Sequence, residues 1–330
     1  MKKIKFTKKI DMSILKKKVD RKKNIEHFKK ICKKNILYKH KKINCPICNF
    51  TNTKNRVFLE VYKYKYIQCS KCDHVYLDKI PLLNNEDIKV SEYMSKELYE
   101  KQVSRNYRIK KVSKPKVDFV INSFKKNYRG KWLDLACGTG ETLNLIREKK
   151  WEVLGIDNNR SSISYAKRNY NIDILYKNLN DLNSKDISNY DVISVFLLFE
   201  HLENPFNLLK KIKNGMKKNA MLVIEINLAD SLSSYIQNIF RDKIDRHLLP
   251  CSHLNMFTYK SLSFCLNKLN FKIIKEWWFG QDAYELFQML NLSINKKNLS
   301  KEQHQMINIF QKIIDRSKNS DRLICIIKKK

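Results

Sequence analysis

Short apolar runs alternate with amphipathic segments from Lys131 onward, and this alternation limits the possible folds more than any other feature of the chain. Seven strands are predicted, at residues 132–136, 153–156, 172–176, 192–198, 221–226, 271–277 and 323–327. Helices are predicted at residues 142–149, 161–169, 205–216 and 259–269, the last two capped by Asn204 and Thr258. This order favours an α/β fold with a Rossmann-like, mostly parallel sheet of seven strands in residues 129–330.

A glycine-containing turn follows the first predicted strand. The run Asp-Leu-Ala-Cys-Gly-Thr-Gly occupies residues 134–140, and its two glycines allow a ligand to approach the backbone above a helix N-terminus. Asp157 ends the second strand, where a carboxylate suits a ribose diol. Leu143 stands where a pyrophosphate-binding turn has its third glycine, and Asp134 supplies a carboxylate for a cation. A sulfonium ligand with an amino group therefore fits better than a dinucleotide.

Several segments together resemble one family. The run at 134–140 resembles the first motif of class I S-adenosylmethionine-dependent methyltransferases. Residues 199–205, 224–227 and 253–258 resemble segments of its ubiquinone-biosynthesis O-methyltransferase-like branch. The resemblance covers residues 129–278 and the closing strand, and it implies the fold, the cofactor and methyl transfer, but not the substrate.

The resemblance also assigns residues to the cofactor. The predicted cofactor-binding residues are Asp134, Ala136, Gly138, Gly140, Asp157 and Asn178. Asp134, Ala136 and Gly138 are implied to line the methionine part, and Asp157 to hold the ribose. Asn178 stands where the family often has an aspartate that reaches the adenine amine. Leu197 replaces an acid that can contribute to a metal in the ubiquinone branch, which argues against a catalytic divalent metal.

Two histidines are candidates for the chemistry. Methyl transfer is an in-line displacement, to which a protein contributes alignment and in some cases a base. His201 follows the fourth strand, and His253 lies on the segment expected to cap the substrate pocket. Either imidazole can deprotonate a hydroxyl near neutral pH. Glu200 is an alternative base, and all three residues also have purely structural alternatives.

Four of the nine cysteines form two pairs with metal-ligand spacing. Cys45 and Cys48 form one Cys-x-x-Cys pair, Cys69 and Cys72 form the other, and twenty residues separate the pairs. Two such knuckles complete a closed, four-thiolate tetrahedral site, which is typical of structural zinc. His74 is an alternative to Cys72. The sequence therefore predicts a zinc-ribbon module at residues 45–82.

The order of the modules carries the substrate hypothesis. A knuckle pair followed by a methyltransferase domain resembles a bacterial group often associated with sugar or surface-glycan modification. Carbohydrate C-methylating relatives carry a further C-terminal domain, so O- or N-methylation of a small molecule or glycan precursor is the expectation. Between the two modules, residues 83–128 are predicted to form a helical connector, with an apolar stripe at Val117, Val120, Ile121 and Phe124.

The remaining segment and the net charge leave an alternative open. Residues 1–44 are lysine-rich and are expected to form a loosely ordered basic arm. The formal net charge of +34 predicts non-specific RNA binding and permits an RNA methyltransferase that grips phosphates with the arm and ribbon. Lysine, however, far outnumbers arginine, the usual base-reading residue. No apolar run is long enough for a membrane span and no secretory signal is recognised, so a cytoplasmic location is expected.

Overall fold

The computed structural model describes residues 3–6, 10–11, 21–34, 38–41, 44–51, 56–82, 102–244, 246–296 and 298–330. Its strands are β1 (Lys3–Phe6), β2 (Tyr38–Lys41), β3 (Arg56–Val61), β4 (Tyr64–Gln68), β5 (Val75–Leu77), β6 (Lys79–Pro81), β7 (Lys131–Leu135), β8 (Glu152–Asp157), β9 (Ile174–Tyr176), β10 (Val192–Phe196), β11 (Met221–Asn227), β12 (Asn255–Met256), β13 (Phe271–Phe279) and β14 (Arg322–Lys329). Its α-helices are α1 (Arg21–Lys34), α2 (Gln102–Arg108), α3 (Lys114–Ile121), α4 (Glu141–Glu148), α5 (Arg160–Tyr170), α6 (Pro205–Gly215), α7 (Leu232–Ile239), α8 (Tyr259–Lys268), α9 (Asp282–Ser293) and α10 (Lys301–Arg316).

The large sheet has the order β1-β13-β14-β11-β10-β7-β8-β9. All its neighbouring strands are parallel except for the two pairings of β14, which is antiparallel to β11 and β13. The mostly parallel Rossmann-like fold is confirmed, and all seven predicted strands are present. The strand number was wrong, because β1 adds an eighth strand in parallel beside β13. An edge strand has unpaired backbone groups, and β1 supplies partners for those of β13.

Both faces of the sheet are covered, which explains why its strands are continuous apolar runs. All seven residues of β11 are buried. Leu133 and Val195 point into the cluster formed with α6 and α8, whereas Trp132 and Val192 pack against α3 and α4. The predicted caps are present: Asn204 Oδ1 accepts from Asn207 N, and Thr258 forms a capping box. The carboxyl ends of the parallel strands therefore meet at one edge, beside the start of the following helices.

The predicted ribbon folds onto this domain as a second sheet. Its order is β12-β5-β4-β3, so three strands come from residues 56–77 and the fourth, β12, belongs to the segment that follows His253. Asn255 pairs with Tyr76 and Met256 with Val75 in antiparallel register. The ribbon thus shares a sheet with the segment that was expected to cap the substrate pocket.

The described parts of residues 1–44 differ from the expected loosely ordered arm. Besides β1, helix α1 buries Ile25, Ile31 and Cys32. Cys32 joins the core cluster under the ribbon, together with Leu59. The many lysines obscured these buried positions, because the apolar face of α1 is narrow and the helix has an otherwise polar composition.

The connector is helical where the structure describes it. Residues 83–101 of the predicted connector lie outside the described residues, and α2 continues through a π-helix (Ile109–Ser113) into α3. Val117 and Val120 of the predicted stripe are buried, and Ile121 and Phe124 are half-buried against the same cluster. None of the helices described is long and apolar enough to cross a membrane.

Candidate active site

The turn after β7 has the backbone shape that a close ligand contact requires. Ala136, Gly138 and Gly140 all have positive φ angles, of 56°, 56° and 71°. A Cβ at Gly140 would lie 2.9 Å from the Cβ of Ala166 in α5, so this glycine is needed for helix packing. A Cβ at Gly138 would meet no atom within 4 Å. Gly138 therefore faces open space, which leaves room for a ligand beside the backbone.

Asp134, the next-to-last residue of β7, carries a buried carboxyl group and is 2% exposed. Ser194 Oγ donates to Asp134 Oδ1 at 2.5 Å, and Trp132 Nε1 donates to Ser194 Oγ at 2.8 Å. Burial raises the pKa of Asp134 to about 7, against the opposing effects of the Ser194 hydrogen bond and of Lys116. The group therefore changes charge near neutral pH, and a cationic ligand would favour its ionised form.

Asp157, at the end of β8, is held by backbone amides. Gly138 N donates to Asp157 Oδ2 and Asn159 N donates to Asp157 Oδ1, both at 2.8 Å. These bonds fix the carboxylate beside the glycine turn. Because each carboxylate oxygen can accept more than one hydrogen bond, both remain able to accept from a pair of hydroxyl groups.

A cavity of about 470 Å³ opens at this edge of the sheet. Ala136, Asp157, Asn178, Leu198 and His201 are among the residues that line it. Among the described residues, Asp134, Gly138 and Gly140 lie outside this lining, although they belong to the same strand end and turn. Asn178 Oδ1 accepts from Asn180 N at 2.9 Å, so its oxygen already caps a 3₁₀-helix (Leu179–Asp181).

The two predicted catalytic histidines lie together. Their ring centroids are 5.0 Å apart. His201 Nδ1 lies 2.7 Å from Ser252 O, and His253 Nδ1 contacts His247 O. A carbonyl oxygen only accepts, so each Nδ1 carries a hydrogen, and in the neutral ring Nε2 is left as the acceptor. Burial lowers the pKa of His253 well below its usual value, whereas His201 is exposed at the cavity wall.

Glu200 completes this cluster from the buried side. It is 4% exposed, and its Oε1 accepts from Asn227 Nδ2 at 2.8 Å. Burial raises the pKa of its carboxyl group. Glu200, His201 and His253 each offer a possible ligand atom, and these atoms lie within 4.8 Å of one another. Glu200 therefore binds Asn227, and its own protonation state determines whether a negative charge lies beside the two imidazoles.

The four predicted metal ligands converge in the ribbon. Cys45 Sγ lies 3.5 Å from Cys72 Sγ, and Cys48 Sγ lies 3.5 Å from Cys69 Sγ. The two pairs have matching turns: Asn49 N donates to Cys45 O and Asp73 N to Cys69 O, both at 2.9 Å. All four ligand atoms lie within 4.8 Å of one another. Soft thiolates in this arrangement fit a tetrahedral zinc ion.

His74, the alternative ligand, is used elsewhere. It is fully buried, its Nε2 lies 3.2 Å from Asn255 Oδ1, and its ring packs edge-on against Phe257. This histidine therefore joins the ribbon to β12. Two further bonds cross the same boundary: Leu77 N donates to Leu254 O at 2.9 Å, and Tyr66 Oη donates to His253 O at 2.7 Å.

Three polar groups near the site were not singled out from the sequence. Ser194 binds Asp134 from inside an otherwise apolar strand. Glu225, fully buried in β11, forms an ion pair with Lys116 Nζ at 2.5 Å. Glu141, at the start of α4, accepts from Arg108 and Ser113, both at 2.5 Å. A polar residue inside an apolar run was the available signal for Ser194 and Glu225, because such residues need buried partners.

Comparison with known proteins gives one family match. The family described as "Methyltransferase domain" matches residues 103–276, just over half of the chain. No curated protein matches the chain.

Solved structures of similar fold include a SAM-dependent methyltransferase from Archaeoglobus fulgidus, with 25% identity, 66% of this chain and 92% of that chain covered, and a TM-score of 0.44. The plantazolicin methyltransferase BpumL in complex with SAH is 16% identical, and the match covers 75% of this chain and 91% of that chain with a TM-score of 0.48. An S-adenosylmethionine-dependent methyltransferase from Clostridium acetobutylicum ATCC 824 is 14% identical, and the match covers 72% of this chain and 99% of that chain with a TM-score of 0.45.

Proposed function

The chain belongs to the methyltransferase-domain family and is an S-adenosylmethionine-dependent methyltransferase, and from this premise we propose that it methylates an oxygen or nitrogen atom of a small molecule, a sugar or surface-glycan precursor. The observation that carries the proposal is the cavity at the carboxyl edge of the sheet, whose lining includes Ala136, Asp157, Asn178 and His201. A pocket of this size suits a nucleoside-sized ligand together with a small acceptor.

The cofactor is proposed to lie across the glycine turn. Asp157 binds the ribose hydroxyls, because its carboxylate is fixed by two backbone amides at the cavity wall. Ala136 and Gly138 lie against the methionine part, and Asp134 balances its positive charge. Gly140 keeps the turn close to α5. Asn178, which also lines the cavity, is proposed to contact the adenine.

S-adenosylmethionine supplies an electrophilic methyl group on a sulfonium. The protein is proposed to align the acceptor for in-line attack and to accept its proton at His201 Nε2. The hydrogen bond to Ser252 O keeps the proton of the neutral ring on Nδ1, so that Nε2 is available. His253, half-buried and electrically neutral, packs beside His201 and helps to hold its ring.

A structural zinc ion is proposed for the four cysteines. Closed coordination by Cys45, Cys48, Cys69 and Cys72 leaves no position for water, so the ion would stabilise the ribbon and take no part in the chemistry. The support is the convergence of the four sulfur atoms and the matching turns of the two knuckles. Because the ribbon sheet contains β12, the ion also stabilises the segment next to His253.

The support for a glycan precursor is the order of modules, a zinc knuckle pair before a methyltransferase domain. The test is transfer of methyl-labelled S-adenosylmethionine by the full-length protein to cell extract that is separated into sugar nucleotides, polymeric glycan, RNA, protein and other metabolites. Label in the sugar-nucleotide or glycan fraction, absent with Asp157→Ala, is the expected result. Label in RNA instead would support the alternative and end the glycan proposal.

A further inference from the structure

The helical hairpin between β13 and β14 exposes an apolar face. It consists of α9 and α10 and lies beyond residues 103–276, which match the methyltransferase family. In α10, Met306, Ile309 and Ile313 are 48%, 58% and 60% exposed. A helix at the surface of a monomeric protein normally turns such residues inward.

The orientation of α10 is set by polar contacts on its inner side. Gln311 Oε1 accepts from Ala283 N at 3.0 Å, and Gln311 Nε2 donates to Asp282 Oδ2 at 3.2 Å. Asp315 is 1% exposed and accepts from Ser320 Oγ at 2.7 Å. Rotating the helix to bury the apolar side would break these bonds. The outward apolar face is therefore built into the fold.

The adjacent helix extends the same face. Phe310 is 41% exposed and stacks on Phe287 of α9 with ring centroids 6.0 Å apart. Leu290 in α9 and Ile294, the residue just after it, are 45% and 61% exposed. We define the hairpin face as the side chains of Phe287, Leu290, Ile294, Met306, Ile309, Phe310 and Ile313. Contiguous exposed apolar surface of this kind marks an interaction site.

The charges at the two ends of α10 indicate which partner fits. Glu302, Met306, Ile309, Ile313 and Arg316 follow one another at intervals of four, three, four and three residues, the spacing of a coiled-coil seam. Glu302 lies seven residues before Ile309, and Arg316 lies seven residues after it. If a second α10 packs antiparallel with its Ile309 opposite the first, each Glu302 faces an Arg316. The seam is thus complementary to itself about a twofold axis, as an isologous dimer interface must be.

The dimensions of the face agree with a weak dimer. Helix α10 has 16 residues, which corresponds to about 24 Å of length. Helices α9 and α10 of one protomer, side by side, cover roughly 500 Å². Two protomers together bury about 1,000 Å², which is the lower limit for a specific interface. We propose that the protein forms a twofold-symmetric homodimer in which the hairpin faces of two copies pack together, with α10 antiparallel to α10 of the second copy.

Because the protein has a net charge of +34, the effect of salt on its association indicates which partner binds the hairpin face. Two such copies repel each other, and added salt screens that repulsion, so dimerisation should strengthen as salt rises. Binding of the same apolar face to an anionic membrane would do the opposite, because salt screens attraction. The sign of the salt effect therefore separates a second copy from a lipid surface.

The experiment is sedimentation velocity of the full-length protein over a concentration series, at low and high salt. A monomer–dimer equilibrium that tightens with salt is expected. Ile309→Glu, which places two carboxylates opposite each other, should raise the dimer Kd at least about tenfold, and Ile313→Lys should do the same. Val57→Glu, at an exposed apolar residue of the ribbon, should leave the dimer Kd unchanged.

Exchange of the terminal charges tests the antiparallel register. Glu302→Arg and Arg316→Glu should each raise the dimer Kd about fivefold, because two like-charged pairs form, and the double variant should return to within about twofold of the original. Unchanged thermal unfolding and cofactor binding would show that every variant is folded. A protein that is monomeric at all concentrations, a dimer that Ile309→Glu leaves intact, or a double variant without recovery would overturn the proposal. So would binding of a monomeric protein to phosphatidylserine vesicles that is lost with Ile309→Glu.

Discussion

Substitution of Asp157 gives the most direct test of the proposed cofactor site. Its two oxygens are oriented by Gly138 N and Asn159 N, so the carboxylate is already in position before a ligand arrives. Asp157→Ala should weaken S-adenosylmethionine binding by about 1.5–3 kcal/mol through the loss of charge-assisted bonds to the ribose. Calorimetry measures this change, and Asp173→Ala, which alters an exposed aspartate outside the cavity, is the matched control. Equal affinities of both variants would contradict the assignment.

Asp134 predicts a pH dependence of cofactor affinity. Its pKa is raised to about 7 by burial, so below that pH the free protein holds a proton that a cationic ligand must displace. Affinity should therefore increase as the pH rises to about 7 and then level off, and Asp134→Asn should remove most of this dependence. Calorimetry over about pH 5.5–8 measures it. A wild-type Kd that is constant over this range would show that Asp134 does not face the positive charge.

The same group affects stability in the opposite direction. Because the pKa of Asp134 is higher in the folded protein than in the unfolded chain, its contribution to the unfolding free energy is fully present below about pH 4 and is lost as the pH rises through about 7. The positive charge of the bound cofactor should compensate the buried carboxylate and so offset this loss. Cofactor binding is thus expected to stabilise the fold most strongly at neutral pH and above.

His201 carries the prediction for turnover. His201→Ala should lower kcat by about 10²–10⁴, the usual contribution of a general base, and leave the cofactor Kd almost unchanged. The prediction requires the assay substrate identified from the labelled extract, and single-turnover kinetics measures it. His304→Ala, in α10 and away from the cavity, is the control. If His201→Ala keeps its turnover, the imidazole only supports the loop through Ser252.

At the level of elements, the ribbon and the methyltransferase sheet meet through β12. The ribbon is joined to the His253 segment by the β5–β12 pairing, by the bond of Tyr66 to His253 O and by the contact of His74 with Asn255. Through these contacts the ribbon supports the segment beside the proposed substrate pocket. Metal binding and local folding are expected to be linked, since free ribbons of this size have too small a core to fold alone.

Cys48→Ser tests that linkage. The purified protein should contain about one zinc per chain, and the variant should lose it and unfold at a lower temperature, because one thiolate of the tetrahedral site is removed. Elemental analysis together with thermal unfolding measures both effects. Cys265→Ala, at a buried cysteine outside the knuckles, should retain the metal. A folded, reduced wild-type protein without zinc would end the zinc proposal.

At the scale of the whole molecule, the N-terminal residues contribute to the fold in the parts that the structure describes. Strand β1 extends the large sheet, and α1 buries Ile25 and Ile31 and joins Glu285 through Arg21. Deleting residues 1–40 should therefore lower the unfolding free energy by roughly 3–6 kcal/mol, since each buried isoleucine contributes about 1.5–3 kcal/mol. Urea unfolding measures the change. An unchanged midpoint would mean that the segment behaves as the loosely ordered arm expected from composition.

Much of the fold could be predicted because the information is local. Strands that are buried on both faces, such as β11, are continuous apolar runs, and the caps Asn204 and Thr258 mark helix starts by their own chemistry. Helices α1, α7, α9 and α10 were missed, although Ser300 and Gln303 form a capping box at the start of α10. The orientation of α10 could not be predicted, because its apolar side faces outward and periodicity alone does not say which side of a helix is buried.

The sequence by itself determined the parallel sheet, the glycine turn with Asp134 and Asp157, and the two cysteine pairs, because each depends on the spacing of residues that are close in the chain. The tertiary structure decided what depends on distant residues. It brought β1 beside β13, placed β12 in the ribbon sheet, and set His201 against His253. It also buried Asp134 enough to raise its pKa to about 7. Contacts between residues that are far apart in the chain depend on packing and desolvation. No fixed spacing in the sequence marks such contacts.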